Sequence, residues 1–396
     1  MRFIILSALV SLGASHSIKF KTTESVSDAG SYIVKLRADA TTSAVDSLRA
    51  SLQATASHEY AMPGFRGFAN SLTAEEATRL KNSNQIEYIE KSTRFHSNAI
   101  VTQEDAPWGL SRISSNETNG TTYTYDDTAG KGTCAYVVDT GIYIEHPEFE
   151  GRATFLVDTS GEDNLTDPYG HGTHNAGTIG SKTYGVAKNT KLYAVKVLDS
   201  EGDGTIEGIV AGLDFLVNNR TQDCPKGSVV NISLGGTFSQ ALNDAVKAVV
   251  QSGMFVAVSA GNEFGDARDV SPASEPSVCT VGATTINDTI AEFSNTGPVV
   301  DILAPGVDVL STWNNGSTAV ISGTSMSAPH VAGLGAYLLG AGLAEVESLC
   351  ETIKGLALKN VIMLLPNGTA NLLANNGVDQ DGERQPQDPK PTYGLH

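Results

Sequence analysis

The chain has 396 residues, 40% of them hydrophobic, enough for a sizeable core and more than one folding unit, and its composition is globular rather than fibrous or unfolded. Against 44 Asp and Glu stand 26 Lys and Arg, and the formal net charge of -18 leaves no basic footprint for nucleic acid or an anionic membrane surface.

The opening stretch MRFIILSALVSLGASHS sets Arg2 before an apolar run from Phe3 to Leu12, then Gly13, Ala14 and Ser15. That is the layout of a secretory signal over residues 1–17, and its apolar run is shorter than the ~20 residues needed to span a bilayer. Residues 18–98 read as a small separate α+β unit. SYIVKL, FRGFANSL and QIEYIEKS have strand patterns, while TTSAVDSLRASLQATA and TAEEATRLKNSN have helix patterns, the second with a capping-box start. TRFHSNAIVTQED, which follows, is polar and unpatterned, as a processing linker would be.

From Trp108 the pattern becomes an alternation of apolar strands and helices. CAYVVDT, KLYAVKVLD, VVNISLGG, MFVAVSAGN and SVCTVGATT are strand-like, and TIEGIVAGLDFLVNN and SQALNDAVKAVVQSG are helical. Such strands, apolar almost throughout, predict a mostly parallel sheet covered by helices on both faces over residues 99–376. Function in these folds gathers at the carboxyl ends of the strands. Residues 377–396 are polar and Pro-rich and read as a disordered tail.

In a secreted chain the even set Cys134, Cys224, Cys279 and Cys350, with no Cys-x-x-Cys pair, reads as disulfides, with three connectivities open. Sequons stand at Asn116, Asn119, Asn164, Asn219, Asn287, Asn315 and Asn367, and an eighth at Asn231 lies in an apolar run and is expected to be buried and bare.

Several polar residues sit where chemistry could be placed. Asp139 ends a strand before a turn. GHGTHNAGT puts His171 between glycines at a helix start, with His174 one turn on. The spacing is neither of the phosphate-loop patterns, and the acidic residue of a metalloprotease helix is missing, so general-base catalysis is the reading that survives. Asn262 follows an apolar strand, and Ser325 opens the Ala/Gly-rich run SMSAPHVAG at a helix start. Pro329 within that run is read as a first-turn proline, where the missing N–H costs nothing. Together these residues can share the steps of one reaction, in which an imidazole activates a hydroxyl, a carboxylate orients the imidazole, and an amide with a helix N-terminus receives the oxyanion.

VVDTGI, GHGTHNAGT, SLGG, SAGN and GTSMSAPHVAG, in the order Asp, His, Ser, resemble the motifs of the subtilisin superfamily. APWGLSRIS and SPASEPSVCTVGA are most similar to its proteinase K-like branch, the fungal-type secreted subtilases. The resemblance implies a subtilisin-like α/β fold and a secreted serine endopeptidase of broad specificity, favouring apolar or aromatic residues before the cut. Asp139 would be the orienting acid, His171 the base, Ser325 the nucleophile and Asn262 the oxyanion donor, with His174 a packing residue. Gly202 to Gly204 and Ser233, Leu234 and Gly235 would pair with an extended substrate. Ser259, Ala260 and Gly261 would wall an open, apolar primary pocket.

The resemblance also makes residues 18–98 a ferredoxin-like inhibitor propeptide, removed by autocleavage near Asn98 to Val101, and implies a monomer acting on proteins and peptides. It pairs Cys134 with Cys224 and Cys279 with Cys350. It implies no catalytic cofactor, but a structural calcium on the backbone oxygens of Pro276 and Val278 and the carboxylate of Asp301. Val361 stands where an acid of a second calcium site would be. Asn175 stands where this branch often has a free cysteine. The competing classes are an inactive binding protein of the same fold, which should lack a member of the catalytic set, and a metallohydrolase using His171 and His174.

Overall fold

The structure, a computed structural model, describes residues 30–92, 99–221 and 223–378. The signal layout at 1–17 and the chain from 379 onward lie outside the described residues. Contacts divide the chain into two units, residues 1–97 and 98–396.

The first unit has the order βαββαβ: β1 Gly30–Leu36, α1 Thr42–Ala50, β2 His58–Met62, β3 Phe65–Leu72, α2 Ala74–Lys81 and β4 Ile86–Lys91. Its antiparallel sheet runs β2-β3-β1-β4, the split ferredoxin-like arrangement. Val34, Phe68, Leu72 and Leu80 form its core. α2 starts where Thr73 accepts from the Glu76 N–H and Glu76 returns the bond to the Thr73 N–H, a capping box. α1 is shorter than its sequence pattern because the Ser51 N–H and hydroxyl both turn back onto the Leu48 carbonyl.

The second unit begins earlier than the linker pattern suggests. β5 Ile100–Gln103 pairs antiparallel with β6 Tyr123–Asp126, with α3 Trp108–Ile113 between them. A nine-stranded sheet follows, built from β7 Cys134–Asp139, β8 Ala153–Asp158, β9 Lys191–Lys196, β10 Ser228–Ile232, β12 Phe255–Ser259, β14 Cys279–Thr284, β15 Ile302–Pro305, β18 Leu358–Lys359 and β19 Leu372–Leu373. Short pairs lie outside it, β11 Gly236–Thr237 with β13 Val270–Ser271 and β16 Val309–Thr312 with β17 Thr318–Ile321. The order is β18-β19-β15-β14-β12-β10-β7-β9-β8, parallel throughout except between β18 and β19.

Side chains alternate along each strand, so both faces need cover. Ala135 and Val137 of β7 face a cluster with Ile179 of α4 His171–Gly180, Val331 and Leu334 of α7 Thr324–Ala341 and Ile353 of α8 Leu349–Leu356. Tyr136 and Val138 face Leu213 and Leu216 of α5 Ile206–Asn219 and Val246 and Val249 of α6 Gln240–Gln251. The Ala/Gly content of α7 follows from its place: it is buried nearly all round, and only small residues let it pack on every side. Val378 is 1% exposed and its N–H is held by Asn376, so the packed chain continues beyond residue 376.

The strand order sets the site. After β7 the chain moves out to β8 and β9 on one side, then returns to build β10, β12, β14 and β15 on the other. The crevice at the carboxyl ends of β7 and β10 is therefore the topological switch point, and Asp139 ends one of those strands.

Candidate active site

Asp139 is fully buried, yet each of its carboxylate oxygens has donors. Oδ1 takes the Thr140 N–H at 2.7 Å and the His171 Nδ1 at 2.8 Å; Oδ2 takes Nδ1 at 2.9 Å and the Asn175 amide at 2.9 Å. An ionised carboxylate only accepts, which fixes the proton of neutral His171 on Nδ1 and leaves Nε2 as the basic nitrogen. Burial pulls the His171 pKa down, but the charge and hydrogen bond of Asp139, with the charge of Asp167, outweigh it and leave it raised.

The position of His171 rests on Asp167, a residue that no sequence motif singles out. Its Oδ1 accepts from the Gly170 N–H at 2.7 Å and the Thr140 hydroxyl at 2.8 Å, and its Oδ2 from the Thr173 N–H at 2.8 Å. A carboxylate is thus bound to the otherwise unpaired N–H groups at the start of α4. Two glycines allow this approach. Gly170 has φ +109°, and a Cβ on Gly172 would lie 2.1 Å from the Gly141 carbonyl oxygen and 3.1 Å from Asp139 Cβ. His174, one turn on, is buried; its Nε2 meets the Val309 carbonyl at 3.0 Å, and burial lowers its pKa to about 4. Neutral and turned away from the pair, it packs edge-on against Trp313.

Ser325 is the second residue of α7. Pro329 corrects the first-turn expectation: it lies in the second turn, where its missing N–H deprives the Ser325 carbonyl of a partner. Ser233 replaces that donor, its hydroxyl reaching the Ser325 carbonyl at 3.0 Å, and its own carbonyl accepts the Ser325 hydroxyl at 3.2 Å. The two serines form a reciprocal clasp. In this conformation the Ser325 proton is held by Ser233, which lines the same cleft as His171.

Asn262 faces the same helix start. Its Oδ1 accepts the Thr324 N–H at 2.8 Å and the Thr324 hydroxyl at 2.9 Å, which fixes the amide and turns its N–H donors the other way. The space a Cβ on Gly323 would take lies 3.7 Å from Ser325 N and 3.8 Å from Asn262 Nδ2. Two nitrogen donors, with Met326 Sδ at 3.7 Å, thus border one small space next to Gly323, the kind of donor pair an oxyanion requires.

Two cavities share a wall at Leu234 to Thr237, and the second of them reaches Ser325. A cleft of about 450 Å³ is lined on one side by Gly202, Asp203 and Gly204, on the other by Ser233, Leu234 and Gly235, with Leu198, Ile209 and Leu242 beneath. A second, of about 370 Å³, is lined by Ser259, Gly261, Asn262 and Ser325. Its surface is mainly apolar, but Glu263, Asp266 and Asp269 also line it, and Ala260 does not: it stands fully buried, its carbonyl accepting from Asn295.

The cysteines form two bridges, Cys134–Cys224 and Cys279–Cys350. Asn116, Asn119, Asn287, Asn315 and Asn367 are exposed; Asn164 is half-buried, and Asn219 is exposed at the end of α5 with its amide donating to the Phe215 carbonyl. Asn231 is fully buried, its amide donating to the Ser233 hydroxyl.

The carboxylate of the donor set expected for calcium is already engaged by groups of the chain itself. Asp301 is its one carboxylate; Oδ2 accepts the Thr280 N–H at 3.0 Å and Oδ1 the Lys354 ammonium at 3.3 Å. Cys279 and Cys350 also lie close to Asp301, but they are bonded to each other and offer no thiolate.

Comparison with known proteins gives a consistent picture. The model of the subtilase family matches residues 130–380, and that of peptidase inhibitor I9 matches residues 16–97. Proteinase T of Parengyodontium album is 60% identical over 278 residues, 70% of this chain and 94% of that protein. The cuticle-degrading protease of Metarhizium anisopliae is 51% identical over 352 residues, 88% of this chain and 90% of the relative. Among solved structures, a cold-adapted subtilisin-like serine proteinase superposes with a TM-score of 0.66 at 41% identity, covering 70% of this chain and all of that one.

Proposed function

Because the chain belongs to the subtilase family and is a serine endopeptidase carrying an I9 inhibitor domain, we propose that Asp139, His171, Ser325 and Asn262 carry out its reaction. The observation that supports this most is the pairing of a buried, fully hydrogen-bonded Asp139 with His171 Nδ1, in a cleft also lined by Ser233, whose carbonyl accepts the Ser325 hydroxyl.

An extended peptide enters between Gly202–Gly204 and Ser233–Gly235 and adds its backbone as a strand. Substrate competes for the Ser233 carbonyl, and rotation of the Ser325 side chain exchanges that acceptor for His171 Nε2. His171 takes the hydroxyl proton as Oγ attacks the peptide carbonyl, and Asp139 stabilises the imidazolium. The oxyanion enters the void between Ser325 N and Asn262 Nδ2. His171 then protonates the leaving amine, and water releases the acyl group by the same steps in reverse.

The side chain before the scissile bond occupies the 370 Å³ cavity. Its inner wall at Ser259 and Gly261 admits apolar and aromatic groups, while the carboxylates of Glu263 and Asp269 disfavour acidic ones. The protein is secreted after loss of residues 1–17, residues 18–98 act as an intramolecular inhibitor until cleavage near Asn98 to Val101, and the mature unit is a monomer. Among the described residues no helix is long and apolar enough to cross a membrane.

The test is Ser325→Ala in the full chain. The account expects accumulation of unprocessed protein and no casein hydrolysis. Processing and hydrolysis at the wild-type rate would remove Ser325 from the mechanism.

A further inference from the structure

The Asp301 site fails as a calcium cage because a cation of the chain's own already stands there. A carboxylate set partly out of solvent needs a counter-charge. Lys354, on α8, brings its ammonium to 3.3 Å from Asp301 Oδ1 and to 2.7 Å from Glu351. The lysine side chain is only a quarter exposed, so it is laid against the site rather than free in solvent.

The surroundings give the contact structural meaning. Asp301 precedes β15; its Oδ2 holds the Thr280 N–H of β14, and its own N–H reaches the Thr280 carbonyl at 2.9 Å. Cys279, next to Thr280, is tied by a disulfide to Cys350, four residues before Lys354 on the same helix. Carboxylate, strand end, disulfide and helix meet at one point, and whatever cation sits there fastens α8 to the sheet.

We propose that Lys354 is a built-in replacement for a structural calcium at Asp301, so that α8 is fastened to the sheet by an ion pair rather than by a metal. A calcium and an ammonium compete for the same carboxylate oxygen, and their like charges repel. A divalent ion can enter only after Lys354 swings out to Glu351 alone. Removing the ammonium therefore opens the Asp301 carboxylate to calcium, a hard cation that takes oxygen ligands.

The experiment uses mature enzyme blocked with phenylmethylsulfonyl fluoride to stop self-digestion, melted in EGTA and in millimolar calcium, with radiolabelled calcium dialysis alongside. A resident calcium at a hundredfold its Kd would lift Tm by about 5–10 °C in a chain of this size. Wild type should show no Asp301-dependent lift: any rise with calcium should be the same in Asp301→Asn. Lys354→Ala should melt lower in EGTA, recover in calcium, and bind one more equivalent of calcium than wild type. The proposal is overturned by a wild-type lift of several degrees that Asp301→Asn abolishes. It is also overturned by a Lys354→Ala protein that neither gains a calcium nor depends on one. Melting and calcium binding are read on enzyme already processed and blocked, so a different assignment of residues to the catalytic steps would leave both readouts unchanged.

Discussion

Replacing Asn175 with Ala tests how the buried carboxylate is tuned. The Asn175 amide donates to Asp139 Oδ2 at 2.9 Å, and its own Oδ1 is buried without a partner. The mutation therefore removes a hydrogen bond to a charged group, about 1.5–3 kcal/mol, and also removes an unsatisfied acceptor that costs about 1–3 kcal/mol. These terms largely cancel in stability, so Tm should move by only a few degrees. They do not cancel in catalysis. With one donor fewer, Asp139 bears more charge toward His171 and raises the imidazole pKa further above its ordinary value. Base catalysis needs the neutral ring, so the active fraction grows as pH rises through that pKa, and the acid limb of kcat/KM should move to higher pH. If about half of a 1.5–3 kcal/mol change is transmitted, the limb moves by about 0.5–1 pH unit. The assay is kcat/KM for a chromogenic peptide across the acid limb, with Asn175→Ser as a variant that keeps a shorter donor and shifts less. An unmoved limb together with a lowered Tm would refute the tuning role and leave Asn175 as packing alone.

Further outcomes follow from the same geometry. Asn262→Leu should lower kcat by about 10²–10³, the size known for such a donor in subtilisin, with KM little changed; an unchanged kcat would place the oxyanion elsewhere. Peptides with Glu before the cut should be hydrolysed about 5–30-fold more slowly than those with Gln, since one carboxylate about 4 Å away costs about 1 kcal/mol even at the dielectric of water and two cost about twice that. In Glu263→Gln/Asp269→Asn that ratio should approach one, and persistence of the full ratio would show that these acids do not face the bound side chain. His174 and His330 have pKa values lowered to about 4 by burial, so the unfolded chain binds more protons and stability falls as pH drops from about 6.5 to about 4. The loss is at most about 3 kcal/mol for each; a Tm independent of pH across that window would contradict the neutral assignments.

What could be read from the sequence divides by range. Strands buried on both faces, such as Cys134–Asp139 and Phe255–Ser259, announce themselves as apolar runs, whereas β2 His58–Met62 is an exposed edge with nothing to pattern it. β5 was hidden in a polar stretch because its order comes from a partner strand that the chain reaches only at Tyr123–Asp126. The residues proposed for catalysis were legible as candidates because each sits in a local motif at a strand or helix end. Their supports were not. Asp167 looks like a turn aspartate until the N–H groups of α4 are seen around it, and the hydroxyl of Ser233 matters only because Pro329, 96 positions later, leaves a carbonyl unpaired. The acids of the second cavity and the Lys354 ammonium at Asp301 are likewise facts of packing. Cysteine spacing left three pairings open, and only the family resemblance chose between them.

The central claim is that Asp139 and His171 make one hydroxyl, that of Ser325, reactive. Mass spectrometry of the mature enzyme treated with a fluorophosphonate reads this directly. The account predicts one adduct per chain, on Ser325, tracking loss of activity and absent from enzyme in which His171 is replaced by Ala. Full inactivation with the adduct on another residue, or full activity with Ser325 labelled, would contradict it.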